Sequence, residues 1–264
     1  MNARSLRVAV PAAMALCLTA AVLTSAANAS PEPETPNYSD AVLADQPFLY
    51  WRLDEKSGSI AQDSSVNGRD GTYVGASKRA VPGLIADDPD TAVHVYGGSG
   101  VTWTPSTEHI QGMYTTEAWA RPVADGLNLS IITSRTSEAA RSFDVKFSTA
   151  QGRGIRIDVG DGTQWLTTTT VPFDWRLYNT YLVDAAVGPH GVSLFVDGTA
   201  LTRISFDCQP GQCTKPLLTD AADPIQVGFN LSHIERMRGT VDEVAIYKRV
   251  LTAEEIAAHY VAGR

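Results

Sequence analysis

Short apolar runs that alternate residue by residue, each cut off by Gly, Asp, Asn or Pro, recur along this 264-residue sequence. Residues 48–55 form the first, and residues 91–96, 100–104 and 115–121 follow. Phe143, Val145 and Phe147 alternate with polar neighbours, as do Ile155, Ile157 and Val159. Val192, Leu194 and Val196 alternate into Asp197-Gly198, a two-residue hairpin signal, and residues 225–229 and 240–247 complete the set. Successive side chains of a strand point to opposite faces, so such runs predict half-buried strands, and their number predicts an all-β sandwich. Helical periodicity is confined to the end. There Thr252 and Glu255 form a capping box, Ile256, His259 and Tyr260 share a face, and Gly263 terminates one short C-terminal helix.

Residues 1–29 read as an export signal: Arg4 and Arg7, an uncharged apolar stretch from Val8 to Val22, and Ala27-Asn28-Ala29 as a small-x-small cleavage site. Cys17 follows Leu16, where lipoprotein processing wants a small residue. No second run approaches the roughly 20 apolar residues that span a bilayer. Residues 30–39, with three prolines, read as an extended leader, and residues 40–264 as one domain that is secreted. The net charge of −8 becomes more negative once the two arginines of the signal are removed. That balance argues against nucleic acid or an anionic membrane as partner.

After the signal only Cys208 and Cys213 remain, separated by the turn-forming Gln-Pro-Gly-Gln. In an oxidising compartment the pair reads as a disulfide pinning one loop. Half a zinc site is the other reading, but no further cysteine exists to complete it.

Catalytic patterns are missing. Glycoside hydrolysis needs two carboxylates about 5–10 Å apart across a cleft, but Glu117 stands alone on its strand and Asp158 has only Arg156 on its own face. Adjacent Asp242 and Glu243 point to opposite faces of a regular strand. There is no G-x-S-x-G, no H-E-x-x-H and no phosphate-binding glycine loop. His233 and Glu235 read as solvated loop residues. Asp242 shares parity with Val244 and Ile246, so if that face is the core its carboxylate is buried and needs hydrogen bonds, a cation or a metal. Calcium would satisfy it, with Asp54 and Asp63 as companions, whereas Asp63 and Asn67 would equally make side-chain turns.

Of the five tryptophans, Trp51 and Trp103 alternate with apolar residues and read as core, and Trp119 is ambiguous between Glu117 and Arg121. Trp165 follows Gly160-Asp161-Gly162 and shares parity with Thr167 and Thr169. It reads as a ligand contact or as a lid over the sandwich mouth.

Several strings resemble the bacterial laminin G-like jelly-roll domains of the concanavalin A-like lectin and glucanase superfamily. They are Tyr50-Trp51-Arg52-Leu53-Asp54-Glu55; the loop from Asp63-Ser64-Ser65 through Asn67-Gly68; Thr116-Glu117-Ala118-Trp119; Leu194-Phe195-Val196-Asp197-Gly198; and Gly239-Thr240-Val241-Asp242-Glu243-Val244-Ala245-Ile246-Tyr247. The resemblance implies a two-sheet antiparallel jelly-roll sandwich with one concave sheet. It also implies a structural calcium near an aspartate opening the last strand and groups near the first, positions taken here by Asp242 and Asp54. The acidic catalytic signature of the glucanases is absent, so the resemblance implies no enzyme activity. The Trp175-Arg176-Leu177-Tyr178-Asn179-Thr180-Tyr181 stretch and the Cys208–Cys213 loop depart from the family pattern. The expectation is a non-catalytic module that binds a glycan near Trp165 and is stabilised by calcium; the alternative partner is an extracellular protein.

Overall fold

The computed structural model describes residues 37–105, 107–135, 141–208, 214–230 and 235–264. Its strands, numbered in chain order, form two antiparallel sheets. The first runs in space β15 (Thr199–Ser205), β14 (Gly191–Val196), β13 (Tyr181–Gly188), β8 (Tyr114–Pro122), β18 (Gly239–Tyr247), β5 (Thr91–Val95), β4 (Lys78–Pro82), with β1 (Leu49–Trp51) also on β18. The second runs β12 (Trp165–Pro172), β11 (Gly154–Gly162), β10 (Arg141–Ser148), β9 (Asn128–Thr133), β17 (Ile225–Val227), β6 (Gly100–Trp103), β3 (Gly71–Val74), β2 (Ile60–Ala61). A ribbon pairs β16 (Leu217–Thr219) with β7 (Ile110–Gln111). The expected all-β jelly-roll sandwich is present.

Alternation places the core. Trp51, Val93, Ala118, Ala120 and Val241 of the first sheet meet Phe143, Val145, Phe147, Ile155, Ile157 and Val159 of the second in one buried cluster. Asp197 and Gly198 turn β14 into β15 with φ of 52° and 70°, the doubly left-handed turn that fits the strand twist. At β18 parity fails, with consequences. Pairing of β18 to β8 shifts between Asp242 and Ala245, and Glu243 there has φ 51°. This bulge keeps Val241, Val244 and Ile246 on the core side, while Asp242, Ala245 and Tyr247 look outward. Asp242 therefore does not share a face with Val244 and Ile246, as uninterrupted counting predicts.

Two helices cover one end of the outer face of the first sheet. The C-terminal α2 (Ala253–Ala262) starts at Thr252, whose side chain accepts the Glu255 N–H while Glu255 returns to the Thr252 N–H. Thr252→Ala removes half of this box and is expected to cost about 1 kcal/mol, read from urea unfolding. The other helix, α1 (Tyr38–Ala44), is capped by Asn37, which accepts from Asp40 N–H at 2.9 Å, and it lies against α2. It begins inside the segment expected as an extended leader, because two turns are too few to show a period. Tyr38, Val42, Trp119, Tyr247, Leu251 and Ile256 form the layer beneath the helices.

One buried imidazole fastens that layer. His259 of α2 places Nδ1 2.8 Å from Glu117 Oε2 and Nε2 3.0 Å from Asp45 Oδ2, and the Tyr38 hydroxyl donates to Glu117 Oε1 at 2.5 Å. Glu117 and His259 are fully enclosed. Burial alone would push His259 down, but Glu117 and Asp45 outweigh it and hold its pKa above the ordinary histidine value. Glu117 is thus neither solvated nor alone.

Candidate functional site

The outer face of the second sheet is charged. Between Phe143, Val145 and Phe147 of β10 stand Asp144 and Lys146, and the register sets them opposite Asp158 and Arg156 of β11. Lys146 Nζ lies 2.7 Å from Asp144 Oδ2, 3.1 Å from Asp158 Oδ2 and 2.7 Å from Glu235 Oε2, which precedes β18. Arg156 reaches Asp158 at 3.0 Å, Ser130 donates to Asp144 at 3.1 Å, and Asn128 Nδ2 donates to Glu235 Oε1 at 2.6 Å. Three carboxylates against two cations leave one surplus negative charge. Asp144 carries the strain: burial pushes its pKa up to about 7 against the pull of Lys146. Burial would lower Lys146, but Asp144, Asp158 and Glu235 outweigh it and raise it; Glu235 is held below its usual range because Lys146 outweighs its own burial.

Lys146, Asp144 and Asp158 are all buried. Acid–base hydrolysis needs two carboxyl groups facing a substrate from either side, whereas these acids face one ammonium. Only Glu235 borders open space, a groove of about 570 Å³ lined also by Asp125, Leu127, Asn128, Arg236 and Arg238. Asp144 and Lys146 went unrecognised in the sequence, and Glu235, expected as a solvated loop residue, is instead held by Lys146 and Asn128. The signal available was the polar half of the β10 alternation.

Trp165 opens β12, half-buried, and the Arg135 guanidinium lies 5.0 Å from its ring centroid. Its expected partners do not join it. Thr167 and Thr169 pair with Val159 and Ile157 on the core side, and a register shift after Val159 sets Trp165 opposite Gly160, on the side of Asp158. Trp165 thus shares the charged face rather than a threonine face.

The three aspartates expected around calcium are not gathered. Asp63 Oδ1 accepts the Tyr50 and Ser65 N–H groups, both at 2.9 Å, and its Oδ2 accepts Ser65 Oγ at 2.8 Å and the Arg69 N–H at 2.7 Å, so it is a turn acceptor. Asp242 Oδ2 accepts the Leu84 N–H at 2.8 Å, and its buried Oδ1 has no hydrogen-bond partner among the described residues. Asp242 and Glu243 do not point apart, because the bulge turns both into one cluster. Arg52 lies at its centre, 2.6 Å from Asp90 Oδ2, 3.3 Å from Asp88 Oδ2 and 3.2 Å from Glu243 Oε1. Asp54 and Asp242 flank Asp90 there. Burial, then Glu243, pushes Asp242 well above the carboxylate range, and burial lifts Glu243 to about 8 against Arg52. Among the described residues no three His, Cys, Asp or Glu side chains are arranged to hold a metal. Cys208 packs half-buried on the core; Cys213 and His233 lie outside the described residues.

Residues 96–257 match a laminin G family model described as the concanavalin A-like lectin/glucanases superfamily. The chain belongs to this superfamily. Three solved structures share its fold. Domain 4 of AbnA, a GH43 extracellular arabinanase from Geobacillus stearothermophilus in complex with arabinotriose, aligns with a TM-score of 0.57 at 16% identity, covering 81% of this chain and 98% of that one. The Trypanosoma rangeli sialidase gives 0.56 at 15%, covering 80% of this chain and 32% of the sialidase. The receptor binding domain of botulinum neurotoxin D gives 0.60 at 12%, covering 83% and 53%. The chain therefore spans about a third and about half of the last two, and at these identities the likeness is one of fold. No curated protein matches the sequence. Among the described residues no helix is long and apolar enough to cross a membrane.

Proposed function

We propose that this superfamily member is a secreted, non-catalytic carbohydrate-binding domain whose site is the outer face of the second sheet beside Trp165. The observation that carries the reading is Trp165 itself, an incompletely buried indole on an edge strand next to a charged face. A pyranose would stack on such a ring, with a few oriented hydrogen bonds supplying specificity. The arabinotriose complex of the arabinanase domain supports a sugar ligand on this fold. Engagement of Asp144, Asp158 and Glu235 by one ammonium supports a non-catalytic role. The proposal extends to a structural calcium at Asp242, whose Oδ1 has no hydrogen-bond partner among the described residues; since no three acidic side chains there are arranged for a metal, backbone carbonyls would complete its oxygen set. Such an ion would add charge compensation to that of Arg52.

The test is a screen of neutral glycans with residues 30–264, run with calcium and with a chelator. Trp165→Ala is expected to weaken binding by about tenfold or more, the loss of one stacking platform. Absence of binding in both buffers overturns the sugar reading and puts an extracellular protein partner first. A melting temperature that is the same in both buffers removes the cation.

A further inference from the structure

The helices leave the other end of the first sheet's outer face uncovered, and a row of cations crosses it. Lys78 of β4 is paired with His94 of β5, His94 with Thr240 of β18, and Thr240 with Arg121 of β8. Four directly opposed positions on adjacent strands thus read Lys, His, Thr, Arg, a row of roughly 14 Å at the usual strand spacing. Like charges side by side on a sheet repel, and a chain of net charge −8 has carboxylates to spare for neutralising them. None is used here. A groove of about 350 Å³ lies over the row, lined also by Val81, Val123 and Tyr178 and by no acid. Among the described residues neither Lys78 nor Arg121 has an ion-pair partner. The His94 ring lies 3.4 Å from the Thr240 hydroxyl and beside the Tyr96 ring. Burial, then Lys78 and Arg121, holds His94 below its ordinary pKa, as expected of an imidazole facing positive charge.

Tyr178 completes the groove. Its backbone is left-handed at φ 66°, a strained state for a tyrosine, and its N–H is fastened to the carbonyl of Pro122, next to Arg121. The residue is 69% exposed.

We propose that this groove binds an acidic saccharide, with one anionic group on the Arg121 guanidinium, a second toward Lys78 and His94, and a sugar ring against Tyr178. The fork of an arginine matches a carboxylate or sulfate, Thr240 offers a hydroxyl between the cations, and an aromatic ring suits the apolar side of a pyranose. The acidic remainder of the chain would repel a long polyanion outside the groove, which favours a short acidic segment. This site lies on the opposite sheet from Trp165 and does not depend on it.

The test is calorimetric titration of residues 30–264 with a trigalacturonate, a sulfated trisaccharide and a neutral trisaccharide. Binding of the carboxylated or the sulfated probe is expected, and whichever binds identifies the anionic group. Arg121→Gln with Lys78→Gln is expected to weaken it by about tenfold or more, as loss of charge-assisted hydrogen bonds would. Tyr178→Ala is expected to weaken it further, and Trp165→Ala to leave it unchanged. All are surface or half-buried positions, and an unaltered melting temperature verifies the fold. Failure of both acidic probes to bind, binding of the neutral one that Arg121→Gln with Lys78→Gln weakens equally, or full affinity in the charge variants overturns the proposal.

Discussion

Replacing Lys146 by methionine is expected to destabilise the domain by about 3–5 kcal/mol, the effect of leaving buried charge without its partner. The Lys146 side chain is 1% exposed and its ammonium serves Asp144, Asp158 and Glu235 together, so its loss leaves three acids facing one another. The sign with pH follows. In the variant these carboxyls take up protons to escape repulsion and burial, so their folded pKa values rise above the unfolded ones. Stability is then greatest in acid and falls as pH climbs through the folded values. Urea unfolding at about pH 5 and about pH 8 should therefore show a larger deficit at the higher pH. An equal, sub-kilocalorie deficit at both would mean the network is solvated.

The second large effect belongs to His259. His259→Ala removes the cation from between Glu117 and Asp45 and leaves Glu117, wholly buried, with Tyr38 as its main partner. A loss of about 3 kcal/mol is expected, concentrated on α2 and α1. The wild type should carry a matching pH dependence. Its imidazole has a folded pKa above the ordinary 6.5, so this stabilisation is complete below that value and is lost as pH rises through the folded pKa. Hydrogen exchange of α2 should therefore quicken on alkalinisation beyond the intrinsic rate in the wild type, and the His259→Ala protein should lack that extra dependence. A wild-type helix equally protected on both sides of neutrality would show that His259 is packed as a neutral ring.

Alternation was sufficient to predict the sandwich because burial imposes it strand by strand: Phe143, Val145 and Phe147 could face only one way. The capping box and the Asp197-Gly198 turn were legible for a similar reason, since each is a local hydrogen-bond or backbone requirement met by adjacent residues. The bulges were not. Nothing in Asp242-Glu243-Val244 marks Glu243 for a left-handed φ, yet that residue reverses the side of Asp242 and joins two acids that counting separates. The shift at Gly160 likewise moved Trp165 from the threonines to the charged face. The Lys146 network escaped notice because Glu235 is 89 residues away and becomes a neighbour only when the sheet closes.

The contact between α1 and α2 governs how the domain can be mounted. Residue 37 and residue 264 both emerge at that helical corner, where the Ala86 N–H meets the Gly263 carbonyl. Fusion or immobilisation through residue 264 attaches the domain at that corner, on the outer side of the first sheet. A tether there leaves the Trp165 face turned away from its anchor, so protein captured through residue 264 should present that face to a passing ligand.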